Sequence, residues 1–334
     1  AVILENRNYI DAYDQMALAY QHMGQPDAAC DVLERAAKLS PNSVQRQRRL
    51  GEVSLKLGNV GVAEKAFRKC ISIGEYSVMK SVDAYFGLAR VCGKKNEAKE
   101  ALQLLAAARR DFPDEDIELR AKITEGMVYH ESGDFRRARK TGDELEELLK
   151  ASPARPDTPT CMELAALLFS VGVKEAPVDL LCYVIRNNHD NIVLLDEVQK
   201  IFDKARLTEE GEGLIRKSRK EATDLMNQGV LLWKTGKLAE AVEWMRNARA
   251  ALPDNLRILF NAAQILISHM TTHGYDAALS AEAGEVLLHV DKIEPGQQRF
   301  AQLMEQLAAL TPSEGGALDA APDPGPASTP PEHQ

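Results

Sequence analysis

Apolar residues recur along this chain at helical spacing, and the helical stretches come in pairs separated by turn residues. A window of 34 residues captures the pattern. Large side chains stand at its fourth and eleventh positions, a small one at the eighth and glycine near the fifteenth. Alanine follows at the twentieth and twenty-seventh, a large apolar residue at the twenty-fourth and often proline at the thirty-second. From Ile10 the window holds Tyr13, Met16, Ala17, Tyr20, Gly24, Ala29, Leu33, Ala36 and Pro41. The next, from Val44, has Leu50, Gly51, Gly58, Ala63, Phe67 and Cys70. After an insertion around Tyr76 to Ser81 come Tyr85, Leu88, Ala89, Cys92, Ala101, Leu105, Ala108 and Pro113.

A fourth window, from Leu119, shows Gly126, Tyr129, Gly133 and Ala138, but Gly142 stands where a large residue belongs. Another clear copy begins at Ala222, with Leu225, Gly229, Leu232, Gly236, Ala241, Met245, Ala248 and Pro253. The spacing has a physical cause. Two helices of a pair cross at the eighth and twentieth positions, where only small side chains let the backbones approach. Large neighbours fill the holes around the crossing, and the glycine ends the first helix.

Between residues 157 and 221 the register weakens. Pro153, Pro156 and Pro159 predict a linker or stretched loop over 151–160. Degenerate helix pairs are then expected over Met162–Val171 with Val178–Ile185, and over Ile192–Ala205 with Glu209–Asp224. Leu256–Met270 and Asp276–Lys292 form a looser pair, and Gln297–Leu310 a helix closing the last apolar face. The chain thus divides into four helix pairs over 1–150, the linker over 151–160, and further pairs with the closing helix over 161–310. A tail over 311–334, rich in proline, alanine and glycine, is predicted to be disordered.

These residues resemble the tetratricopeptide repeat superfamily over most of positions 10–310. The resemblance implies an all-α, right-handed superhelical solenoid of antiparallel helix pairs that binds another protein or peptide segment. More narrowly, the run Leu39 to Gly51, with Ile73-Gly74 and Tyr85 to Arg90, resembles the repeat region of bacterial response regulators. That family implies a phospho-accepting receiver domain ahead of the repeats and a role in signal transduction. Only nine residues precede the first window, so no receiver aspartate is carried over. Ala1 to Asn8 is read as the end of a preceding helix, and the start at Ala1 as that of a fragment. The alternative is an assembly or secretion chaperone. A clamp for terminal carboxylates is disfavoured because Asp14 and Leu18 stand where such clamps need lysine and asparagine.

In such an array the first helix of each pair lines the inner groove, and its second, fifth, ninth and twelfth positions share one face. Arg48, Phe86, Arg90, Arg120, Ile123, Met127 and Trp233 occupy such positions and are the predicted partner-binding residues. Arginines beside apolar surface suit a helix or extended peptide bearing acids.

Composition narrows the partner. The net charge of −9 disfavours nucleic acid, and the chain lacks the apolar run a membrane span requires. Five cysteines without a CxxC pair fit a reduced, cytoplasmic setting with thiols as small apolar fillers. No catalytic, metal or cofactor site is predicted. His130-Glu131 followed by Asp134 misses the HExxH zinc motif, and His269 with His273 lacks a third ligand. Gly211-x-Gly213 lacks the third glycine and preceding strand a dinucleotide needs. The basic clusters Arg136–Lys140 and Arg216–Lys220 are read as exposed outer faces, with Arg139 reaching Asp143 one turn on.

Overall fold

Each helix pair turns on one residue with left-handed backbone, at the place where the sequence pattern puts glycine. Gly24, Gly58, Gly133, Gly172 and Gly236 adopt φ between 67° and 87° there, while Asn96 and Arg206 do the same without being glycine, at φ 63° and 61°. The weak-register region therefore keeps the same turn as the regular repeats. A computed structural model describes residues 10–77, 79–113, 115–151 and 155–311. Both the expected tail beyond Thr311 and the expected helix end at Ala1–Asn8 lie outside these residues.

Among the described residues there are sixteen α-helices and no strands. The first eight pair as α1 (Ile10–His22) with α2 (Pro26–Leu39), α3 (Val44–Lys56) with α4 (Val60–Gly74), α5 (Val82–Lys94) with α6 (Ala98–Asp111), and α7 (Glu115–Glu131) with α8 (Phe135–Ala151). They are followed by α9 (Thr158–Ser170), α10 (Glu175–Asn187), α11 (Ile192–Lys204) and α12 (Thr208–Lys234). The last four are α13 (Leu238–Ala251), α14 (Leu256–His273), α15 (Ala277–Ile293) and α16 (Gln298–Leu310). The all-α helical-repeat architecture expected from the sequence is what the chain adopts.

The chain divides into two compact units between Arg219 and Lys220, inside α12. In the first unit the leading helices stack on one another, α3 on α5, α5 on α7, α7 on α9 and α9 on α11. Its buried residues form three successive clusters, around Leu33, Phe67 and Leu164. The second unit has one core, built from α13, α14, α15 and α16 with the end of α12.

Two boundaries differ from expectation. The proline stretch is shorter than a 151–160 linker, because α9 opens at Thr158. Asp157 caps it by accepting a 2.8 Å hydrogen bond from the Thr160 amide, and Pro159 sits in the first turn, where its missing N–H costs nothing. Residues 209–224 and the window starting at Ala222 merge into the single helix α12, since no glycine or proline interrupts Ile215 to Met226.

The tightest packing is at Phe67 of α4, which is fully buried. Its ring lies between Gly51 of α3 and Gly87 of α5. A β-carbon at Gly51 would stand 2.5 Å from the ring, and one at Gly87 would also collide with it. Gly126 receives Leu167, Gly211 receives Phe202 and Gly229 receives Met245 in the same way. Gly142, where a large residue was expected, accepts Val171 from the end of α9, so the hole is filled from the next repeat.

Replacing both Gly51 and Gly87 by alanine overpacks this ring at a cost of about 1–3 kcal/mol per site, partly offset by about 1 kcal/mol per site of helix propensity. Denaturant unfolding of the double variant should show a net loss centred on about 2 kcal/mol. The control Gly213→Ala, where no neighbour lies within 4 Å, should instead gain up to about 1 kcal/mol. A double variant as stable as the wild type would contradict the interlock.

Candidate functional site

Stacking the leading helices at this close spacing sets what their shared face looks like. The fifth position of one repeat window comes to lie beside the second or third position of the next. Asp14 of α1 accepts a 2.7 Å hydrogen bond from Arg46 Nη2 of α3, and Asp11 lies 3.4 Å from the same nitrogen. Arg48 of α3 pairs with Glu52 at 2.5 Å and approaches Asp83 of α5 at 3.7 Å. Phe86 of α5 is capped by the Arg120 guanidinium of α7, 4.8 Å from the ring centroid, and Arg120 Nη2 donates to Asp83 at 2.7 Å. Asp83 thus stands between two arginines.

Further pairs reach across several repeats. Arg90 of α5 lies 3.5 Å from Glu163 of α9, and Lys56 of α3 lies 2.9 Å from Glu197 of α11. The first unit therefore winds tightly enough for helices two and four repeats apart to touch through charged side chains. These groups are partly exposed; the side chains of Arg48 and Arg120 each retain 29% of their accessible surface. The Glu52 carboxyl is raised above its ordinary pKa, because burial outweighs the opposing attraction of Arg48.

The predicted residues divide on this geometry. Arg48, Arg90 and Arg120 lie on the shared face, but each already holds a carboxylate of the chain itself, and the expected contact residue Phe86 is buried beneath Arg120, because its ring belongs to the core cluster around Phe67. Ile123 is a correction: it is fully buried in the core with Leu145 and Leu164, because α9 packs over α7 and covers the fifth position. Met127 is half-buried against that core. Trp233 belongs to the second unit, where it packs against the core that contains Phe260. The pattern missed Arg46 and Asp83 as partners. Knowing which position of one repeat meets which position of the next would have found both.

The other candidates have structural explanations. Arg139 pairs with Asp143 at 2.9 Å as expected and also donates to the Val171 carbonyl at 2.6 Å. Gly211 is the slot for Phe202. The five cysteines are free thiols and four of them are buried. Desolvation pushes Cys70 and Cys92 up to about 11, as suits apolar fillers. Cys92, Glu97 and Glu100 do converge within 4.8 Å. Yet Lys95 pairs with Glu97 at 3.0 Å and Arg68 with Glu100 at 2.7 Å, and the thiol holds its proton, a poor donor set for a metal ion. Among the described residues no helix is long and apolar enough to cross a membrane.

Residues 10–53 and 225–247 each match a family model described as tetratricopeptide repeat. No curated protein matches in sequence. Among solved structures, a thermophilic TPR protein of Thermus thermophilus aligns at 20% identity over 64% of this chain and 98% of its own, with a TM-score of 0.38. A tetratricopeptide repeat protein of Parabacteroides merdae aligns at 14% identity over 90% and 98%, with a TM-score of 0.34. PilF of Pseudomonas aeruginosa aligns at 14% identity over 89% and 97%, also at 0.34.

Asp83→Asn removes the one carboxylate shared by Arg48 and Arg120. Its cost should be about 1 kcal/mol at low ionic strength and fall as salt screens the pairs. Equal stability of variant and wild type at low salt would contradict the assigned network.

Proposed function

We propose that this chain, which is built on tetratricopeptide repeats, is a protein-interaction scaffold that holds a partner against the face formed by its leading helices. In the first unit the contact residues would be Arg48, Arg90, Arg120 above the Phe86 ring, and Met127; in the second, Trp233. The observation that carries the reading is the make-up of this face. Arginines, one of the residue types that most often anchor interfaces, sit half-exposed along a repeated row, with Arg120 over the ring of the buried Phe86. An incoming chain bearing charged side chains can exchange with the intramolecular ion pairs at little net cost, because such pairs contribute only about 0–1 kcal/mol each at partly exposed sites.

The likeness of Leu39 to Gly51 and Tyr85 to Arg90 to response-regulator repeats supports a further step: the scaffold is the interaction module of a cytoplasmic bacterial signalling protein. A receiver domain encoded ahead of Ala1 would support that step, and a native start at this point would remove it.

Photo-crosslinking separates the leading-helix face from the outer one. A crosslinking residue at Gln45 or Lys56 on the leading-helix face should trap one partner or a few. The same residue at Lys65 or Lys99 on the second helices should not. Equal trapping at all four positions would contradict the assignment. Charge reversal at Arg48 and Arg90 together should weaken binding of the trapped partner by about tenfold or more; unchanged binding would remove these arginines from the site.

A further inference from the structure

Among the described residues an arginine lies over a phenylalanine twice, once in each unit, with a difference in its surroundings. In the first unit Arg120 covers Phe86 at 4.8 Å and gives a hydrogen bond to Asp83 at 2.7 Å. Asp83 is the second residue of α5 and Phe86 the fifth. In the second unit Arg299, the second residue of α16, covers Phe260, the fifth of α14, at 5.0 Å. The place of Asp83, the second residue of the earlier helix, is taken there by Arg257.

Arg299 is consequently in a different electrostatic state from Arg120. Its Nη2 donates at 3.1 Å to the neutral Asn261 side chain. Among the described residues no carboxylate lies within ion-pair distance of it. Partial desolvation against α14, and then the like charge of Arg257, pull its pKa below the usual arginine range. Two turns further along α16, Gln306 accepts a long 3.5 Å contact from Gln264 of α14. Those amides stand about 10 Å from Arg299 along the helix axis. The chain carries a net charge of −9, and the four arginines of the first unit's face each meet one of its carboxylates. Against that background Arg299 stands out.

We propose that the face between α14 and α16 is a docking site for an acidic segment of a partner protein. A glutamate or aspartate side chain would fill the place Asp83 occupies in the first unit, bonded to Arg299 beside Arg257. A guanidinium placed over a ring can still bind a carboxylate with two parallel hydrogen bonds. The partner's backbone then runs on along α16, where the Gln264 and Gln306 amides offer a donor and an acceptor to a peptide group. This inference rests on the scaffold reading above and names the partner chemistry in the second unit.

The test uses the full chain and two fluorescent, end-blocked peptides of the same length, one with spaced glutamates and one with glutamines in their place. Anisotropy titration at low ionic strength should give binding of the glutamate peptide about tenfold or more tighter than the glutamine peptide. Arg299→Gln should abolish that difference, and Arg299→Lys should restore only part of it. Arg257→Asp recreates the internal acid of the first unit and should abolish it too, with helical content unchanged by circular dichroism. Lys65→Gln, on a second helix of the first unit, should leave it intact. Equal binding of the two peptides, absence of binding by either, or a preference that survives Arg299→Gln would overturn the proposal. Partner trapping at Gln45 and Lys56 would in each case leave the scaffold reading standing.

Discussion

The burial of Phe67 between two glycines is the contact on which the first unit's geometry depends. A ring that touches the backbones of α3 and α5 at once fixes their separation, because neither helix carries a side chain to hold the other off. Leu167 against Gly126, Phe202 against Gly211 and Met245 against Gly229 repeat the device along the chain. Leu167 and Val171 also show its tolerance. Both belong to α9 or its end and reach back into slots on α7 and α8, so the filling residue need not come from the same repeat. What the array requires is that each small slot be filled by a large group, and Phe67 fills two.

The charged face follows from that spacing. Once successive leading helices stand at a fixed close distance, the fifth position of one repeat window meets the second or third position of the next. The sequence then decides whether the meeting is an ion pair, a cation over a ring or a buried contact. Asp14 with Arg46 is the first kind, Phe86 with Arg120 the second, and Ile123 under α9 the third. One geometric rule thus yields a zipper of internally neutralised charges in the first unit. The same rule leaves Arg299 over Phe260 with an amide and a second arginine for neighbours in the other.

The helix pairs were legible because crossing points demand small residues at fixed spacing, and Ala17, Gly51 and Ala89 announce them. The turns at Asn96 and Arg206 were less so, since neither residue needs the left-handed conformation it adopts. The continuity of α12 escaped notice because repeat register says where a helix should begin but not that the preceding one has stopped. Repeat spacing puts Arg48, Arg90 and Arg120 on the leading helices, whereas their occupancy by Asp83, Glu52 and Glu163 depends on contacts between repeats that a single window does not contain. Ile123 was misplaced for the same reason: an apolar fifth position is exposed in an isolated pair and buried once the next leading helix arrives.

Native-state hydrogen exchange on the Phe67→Ala variant tests the interlock most directly. Removing the ring opens a cavity between three helices, at a cost of about 3–5 kcal/mol. Amides of α3, α4 and α5 should then lose protection together, while those of α14 and α15 keep theirs. Loss confined to α4, with α3 and α5 protected as before, would contradict the claim that this one side chain holds the successive leading helices in place.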